Sequence, residues 1–226
     1  MRVKQIFCIC GTDTGVGKTA LTVLLTQFLR TLGINVGALK PISSGGRADA
    51  CALQAVLGGA LTLDEINPWH FRPPLAPVLA ARRERKCVTL ADVLVHIRTM
   101  QKRFDILLVE GAGGLLSPLG EGFNSRDLLT ALRAMPVIVC PNRLGAVNQA
   151  LLTLEALPKN FRARARVLLV SPSKPDVSTD INAKLLAEFF YAKRIFRLPR
   201  LGKIFEARRV IRNAAVRHTL RTLLQI

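Results

Sequence analysis

Gly11-Thr12-Asp13-Thr14-Gly15-Val16-Gly17-Lys18-Thr19 follows a short apolar run, residues 6–10, and opens an amphipathic segment, residues 20–32. Strand, glycine-rich loop and helix in that order build an anion cradle. Backbone N–H groups at a helix N-terminus surround the anion and a lysine neutralises it. Gly17-Lys18-Thr19 matches the end of the P-loop pattern, which places the Thr19 hydroxyl for Mg²⁺. The strict pattern needs Gly five residues before Gly17, where Thr12 stands, and Gly11 comes one position early. The loop is therefore a P-loop variant. Its flanking strand and helix signals argue against a turn that binds nothing.

Working outward, apolar runs alternate with helical segments. Strands are expected at 6–10, 36–39, 105–109, 137–140, 167–170 and 195–198. Helices are expected at 18–32, 49–57, 90–102, 125–133 (with Ser125 as its cap), 146–157 and 181–191, and the tail from Glu206 is also read as helical. Residues 58–80, rich in Gly and Pro, read as an irregular excursion. Leu90, Val93, Leu94 and Ile97 keep the i, i+3, i+4, i+7 spacing of a buried helical face. Ile106-Leu107-Leu108-Val109 has no alternation, as in a strand covered on both sides. The expectation is a single α/β domain over residues 1–226, P-loop NTPase-like, with a mostly parallel central sheet and helices on both faces. Ligands bind at the carboxyl ends of such strands. Gly11, Lys40 and Glu110 all fall there.

Composition narrows the class. Half of the 226 residues are hydrophobic, which excludes a disordered chain. No apolar run has the length of a membrane span and no secretory leader is legible, so a cytoplasmic location is expected. Five cysteines, none in a C-x-x-C pair, argue for reduced thiols, and Cys8, Cys10 and Cys140, placed on expected strands, read as buried structural ones. The net charge is +18, and from Lys159 onward 16 Lys+Arg stand against 4 Asp+Glu. Nucleic-acid binding, attraction of anionic substrates and a solvated basic face all remain open. With one Tyr and one Trp, no stacking platform shows among the basic residues, and no specific nucleic-acid partner is expected.

Chemistry-bearing residues gather around the loop. Lys18 and Thr19 serve phosphate and Mg²⁺. Lys40-Pro41-Ile42-Ser43-Ser44-Gly45 follows the second strand, and a lysine at that rim projects towards the loop. Replacing Lys40 by Ala or Gln is expected to lower turnover by orders of magnitude while largely sparing the fold. Asp49 and Glu110 are the carboxylates that could complete a magnesium site. For Asp49, capping its own helix is an equal alternative. His70, His96 and His218 lie in unrelated contexts and are read as structural or exposed. The sequence points to phosphoryl chemistry driven by charge and positioning, without a protein nucleophile.

Three motifs in this order and spacing resemble dethiobiotin synthetase: the loop at 11–19, Lys40-Pro41-Ile42-Ser43-Ser44-Gly45, and Val109-Glu110-Gly111-Ala112-Gly113-Gly114-Leu115. Asp49-Ala50-Cys51-Ala52-Leu53, Pro74-Leu75-Ala76-Pro77 and Leu144-Gly145-Ala146-Val147-Asn148 are similar to further family segments. The resemblance runs from about residue 5 to residue 157. It implies ATP-dependent carboxylation and ring closure of 7,8-diaminononanoate with CO₂, giving dethiobiotin, ADP and phosphate in biotin biosynthesis. Lys18 and Lys40 would be catalytic. Gly15, Val16, Gly17, Lys18, Thr19, Ala20, Asp49, Glu110, Gly111, Ala112 and Gly113 would bind ATP. Ser171, Pro199, Arg200 and Leu201 would lie at its base. Thr19, Asp49 and Glu110 would hold Mg²⁺. Thr14 and Ser44 would meet the diamine or carbamate. The family is a homodimer, so Leu144 and Asn148 would touch a substrate tail bound mainly by the partner chain.

The chain also departs from that pattern. Ser171-Pro172 stands where the family often has Asn for adenine recognition, and Pro172 has no N–H to donate. The basic C-terminal third is atypical. Three rivals remain. A partition-type or regulatory P-loop ATPase places lysine early in the loop, where this chain has Asp13. A corrin-type amidotransferase synthetase needs a glutaminase domain for which there is no room. The third is a basic polyanion-binding relative that has lost synthetase activity.

Overall fold

The computed structural model describes residues 4–172, 174–199 and 206–225. Arg200 and Leu201 lie outside them. Along the chain, β1 (Gln5–Gly11) and α1 (Lys18–Thr31) flank the loop, followed by β2 (Val36–Leu39), β3 (Ile42–Ser44) and α2 (Ala48–Leu57). Next come α3 (Leu63–Ile66), β4 (Trp69–Phe71), α4 (Pro77–Arg83), α5 (Leu90–Gln101) and β5 (Ile106–Gly114). The short β6 (Pro118–Gly120) and β7 (Phe123–Asn124) lead to α6 (Ser125–Leu132), β8 (Met135–Pro141), α7 (Ala146–Glu155), α8 (Lys159–Arg162) and β9 (Arg166–Val170). Finally α9 (Ser178–Phe189), a 3₁₀ turn (Ala192–Arg194), β10 (Ile195–Leu198), α10 (Ala207–Val210) and α11 (Ala214–Leu224) complete it.

Six strands form the main sheet in the order β10-β9-β8-β1-β5-β2, and every neighbouring pair is parallel. Residues of β1 from Ile6 to the loop are buried without alternation, because both faces are covered. On one side α1 packs with α2, α10 and α11; α5 and α6 pack together against β5 and β1. The chain leaves β1 in one direction for β2 and later returns to its other side as β8. That reversal opens a crevice at the carboxyl ends of the strands.

Three local expectations need correction. Residues 58–80 are not irregular. Thr62 and Glu65 make a reciprocal capping box that starts α3, β4 pairs in parallel with β3, and Pro77 stands in the first turn of α4. The cap of α6 is Asn124, whose side chain accepts from Arg126 and Asp127 N–H, so Ser125 is the first helical residue. β5 does not stop at Val109 but continues to Gly114, pairing Glu110 with Ile9 of β1. Cys8, Cys10 and Cys140 are buried as expected, and Cys51 and Cys87 are exposed.

Candidate active site

Gly11 closes β1 beneath the loop. A Cβ there would lie 2.6 Å from the Asp13 carbonyl oxygen and 2.8 Å from the Lys18 ammonium, so only glycine lets the loop fold over the strand end. Gly15 and Gly17 take φ of +73° and +101°, which turns the chain tightly into α1. Gly17 caps α1 without any side-chain bond. The first N–H groups of the helix therefore face outward, available to an anion. Lys18 folds back across this opening and donates to the carbonyls of Asp13 (2.8 Å) and Gly113 (2.7 Å). Burial, then the nearby Lys40 charge, lower the Lys18 pKa below the ordinary 10.5 in spite of Glu110.

β2 delivers Lys40 to the same rim and β5 delivers Glu110. The Glu110 side chain is fully enclosed: Lys40 (2.8 Å) and Thr19 (2.7 Å) donate to its Oε1, and Thr22 (3.0 Å) donates to its Oε2. Lys40 also donates to Asp49, the acidic residue in the first turn of α2. Burial opposes ionisation at both ends of this pair. The two carboxylates nevertheless raise Lys40 above 10.5, and Lys40 holds Asp49 below the ordinary 3.8. Removing Lys40 would leave Glu110 as a buried, uncompensated charge, so its replacement should cost stability as well as turnover.

A cleft of about 710 Å³ joins these groups. Thr14, Gly15, Gly17, Lys18, Thr19, Ala20, Lys40, Ser44, Asp49, Glu110, Ala112 and Gly113 all line it, with Ser43, Gly46, Pro74–Pro77, Ser117 and Pro118 closing its sides. Val16 turns its side chain into the core. Gly111 packs against Ser125, whose hydroxyl lies 2.8 Å from where a Cβ would be. Ser171 and Pro199 follow β9 and β10 outside this lining. The end of β9 still abuts the loop, since a Cβ on Gly17 would sit 3.6 Å from Val170, and the Ser171 N–H is committed to the Leu198 carbonyl. Leu144 and Asn148 are exposed at the start of α7 and do not reach the cleft of their own chain.

Other residues support the site unannounced by any motif. Thr22 ties the second carboxylate oxygen of Glu110 to α1. Asn67 is fully buried; its amide donates to the Lys40 carbonyl (2.7 Å) and its oxygen accepts from Ser43 (3.0 Å) and Arg47 (3.2 Å). The capping box before it was the available signal. Asn142, Thr179 and Asn182 form a second buried network that holds the loop leading into α7.

Residues 5–208 match the family described as AAA domain. The ATP-dependent dethiobiotin synthetase of Methanocaldococcus jannaschii is 36% identical over 200 residues, covering 87% of this chain and 89% of that protein. The corresponding protein of an Anaeromyxobacter species is 37% identical over 210 residues, covering 91% and 94%. The chain belongs to the dethiobiotin synthetase family. Dethiobiotin synthetases are ATP-using ligases of biotin biosynthesis, and the P-loop cleft is consistent with that chemistry. Solved structures add the fold: a pNOB8 ParA bound to nonspecific DNA aligns with TM-score 0.61 at 12% identity over 99% of this chain and 98% of that one. A ParA family ATPase from Chlorobium tepidum aligns at 0.58 and 13%, covering 99% and 100%. Identity this low shows a shared P-loop architecture alone, and the partition-type reading is not favoured over the synthetase family. None of the described helices is long and apolar enough to cross a membrane.

Proposed function

We propose that the chain condenses 7,8-diaminononanoate with CO₂ to close the ureido ring of dethiobiotin, with ATP as the driving substrate. The single observation behind the mechanism is the Lys18, Lys40, Glu110, Asp49 and Thr19 cluster on one cleft. One amine takes up CO₂ as a carbamate and loses a proton. A carbamate oxygen attacks the γ-phosphorus, the bond from that phosphorus to the bridging oxygen breaks, and ADP leaves. The second amine then attacks the carbonyl carbon of the mixed anhydride, phosphate departs with the C–O electron pair, the attacking nitrogen gives up a proton, and the ring closes. Lys18 and Lys40 stabilise the charge on carbamate and transferring phosphoryl group. Both are largely desolvated, so their charge acts through little water.

Residues 15–20 cradle the phosphates, while Ala112 and Gly113 line the opposite wall. Gly111 supports that wall through Ser125. Thr14 and Ser44 face the diamine or carbamate. The Thr19 hydroxyl and the Asp49 and Glu110 carboxylates are hard oxygen donors of the kind Mg²⁺ takes, and they would hold it; bound there, it supplies charge neutralisation to the phosphates. Ser171 and Pro199 border the nucleobase end. Leu144 and Asn148, exposed and away from their own cleft, reach the substrate tail in a partner's cleft within a homodimer. The test is phosphate release by purified protein given Mg-ATP, bicarbonate and the diamine. Release is expected only with all three, and release indifferent to the diamine would replace this reading by a generic ATPase.

A further inference from the structure

The charge of +18 finds no outlet in the cleft, where Lys40 meets two carboxylates. It collects instead along the C-terminal helices. A cavity of about 740 Å³ lies between the end of α1, residues 33–35 and the α10–α11 segment. Arg30, Arg208, Arg212 and Arg217 line it with no carboxylate, and none of the four makes an ion pair among the described residues. α11 carries the row onward, since Arg217 and Arg221 are exposed and one helical turn apart. Its end is fixed to β9 because the buried Arg166 donates to the Leu223 carbonyl and, at 2.7 Å, to Gln225 Oε1.

The strand end that holds α11 also leads to exposed aromatic rings through β10. β9 and β10 pair in parallel with Val167 opposite Ile195, which sets Arg166 beside Arg194 at the start of the two strands. The Arg194 guanidinium stands 5.7 Å from the centre of the Tyr191 ring. Tyr191 and Phe189 are 60% and 61% exposed, bordering a further cavity of about 630 Å³ with Lys159 and Arg162. Glu188 is its one lining carboxylate among the described residues, and Glu155 neutralises Arg162 at 2.6 Å. A row of like charges repels itself until a counter-charge arrives, and exposed rings gain from flat apolar partners. Phosphate answers the first and an unpaired base the second.

We propose that this surface binds single-stranded nucleic acid without sequence preference, its backbone along the α10–α11 arginines and its bases on Phe189 and Tyr191. A duplex offers phosphates but no free base faces, so the aromatic step selects single strands. Fluorescence anisotropy of labelled oligothymidylate and oligouridylate of about twenty nucleotides, beside a duplex of equal length, tests it between about 50 and 200 mM salt. The two single strands separate DNA from RNA binding.

Arg212→Glu with Arg217→Glu and Arg221→Glu should weaken single-strand binding about tenfold or more and lower the log–log salt slope by about two to three. These three are chosen because Arg30 and Arg208 also border the groove that runs to Thr19 and Asp49. Phe189→Ala with Tyr191→Ala should weaken single strands about fivefold or more per ring and leave the duplex unchanged. Reversing the exposed Arg72, Arg83 and Arg85 to Glu should change affinity by less than about twofold at the higher salt. Diamine-dependent phosphate release on the same preparations reports folding. Equal losses in the two arginine triples, a duplex bound as tightly as single strands, or aromatic variants without effect overturns the proposal.

Discussion

Lys40 shows how one side chain carries both stability and chemistry. It is the cation that makes a fully buried Glu110 tolerable, and it faces the cleft in which phosphoryl transfer is proposed. Lys40→Ala should lower turnover about 10²–10³-fold and cost about 3 kcal/mol of stability, because Glu110 is left unpaired. Lys40→Ala with Glu110→Gln should recover much of that stability in calorimetry without recovering turnover. Asp49 sets the acid limit of the same cluster. Lys40 holds its pKa below 3.8, so its stabilisation is complete above that value and is lost as pH falls through the depressed one. Lys40, raised above 10.5, stays charged throughout that acid range and contributes no loss there. Melting temperature measured from pH 5 downward should therefore fall more steeply in the parent chain than in Asp49→Asn; parallel curves would remove Asp49 from the acid limit. The Lys18 pKa lies lower than an ordinary lysine's, so its phosphate-binding charge is lost first as pH rises.

At the scale of elements, legibility followed periodicity. The parallel strands and long helices announce themselves through continuous apolar runs and i, i+3, i+4 spacing. The stretch 58–80 does not, because α3 and β4 have only four and three residues and carry too few turns of pattern to register. What fixes them is tertiary. β4 pairs with β3, and the N–H of Lys40 donates to the Ile66 carbonyl at 3.0 Å. This small unit is the buttress of the Lys40 rim, with Asn67 as its central bond. Asn67→Ala should cost about 2 kcal/mol by orphaning buried groups and should lower kcat more than it changes the KM for ATP, whose P-loop contacts it does not touch. An unchanged kcat would reduce Asn67 to a purely structural role.

For the whole molecule, the sheet order brings Gly11, Lys40 and Glu110 from β1, β2 and β5 onto one crevice, while β8 carries Leu144 and Asn148 away from it. The homodimer proposal makes complementation its test. Lys40→Ala chains mixed with Asn148→Ala chains should regain activity, because one cleft of each mixed dimer pairs an intact Lys40 with an intact Asn148. Mixtures no more active than their parents would place Asn148 outside the substrate site. By itself the sequence determined the phosphate loop, the alternating architecture and the family. These rest on local patterns: glycine spacing, apolar periodicity and motifs that are each only a few residues long. Only the tertiary structure decided that Glu110 lies inside β5 and not at its end, that Thr22 and Asn67 brace the site, and that Arg30 of α1 shares a cavity with Arg208, Arg212 and Arg217. Each of those facts depends on groups far apart in the chain meeting in space. Burial, hydrogen-bond partnership and the juxtaposition of like charges are properties of that meeting and leave no local mark in the sequence.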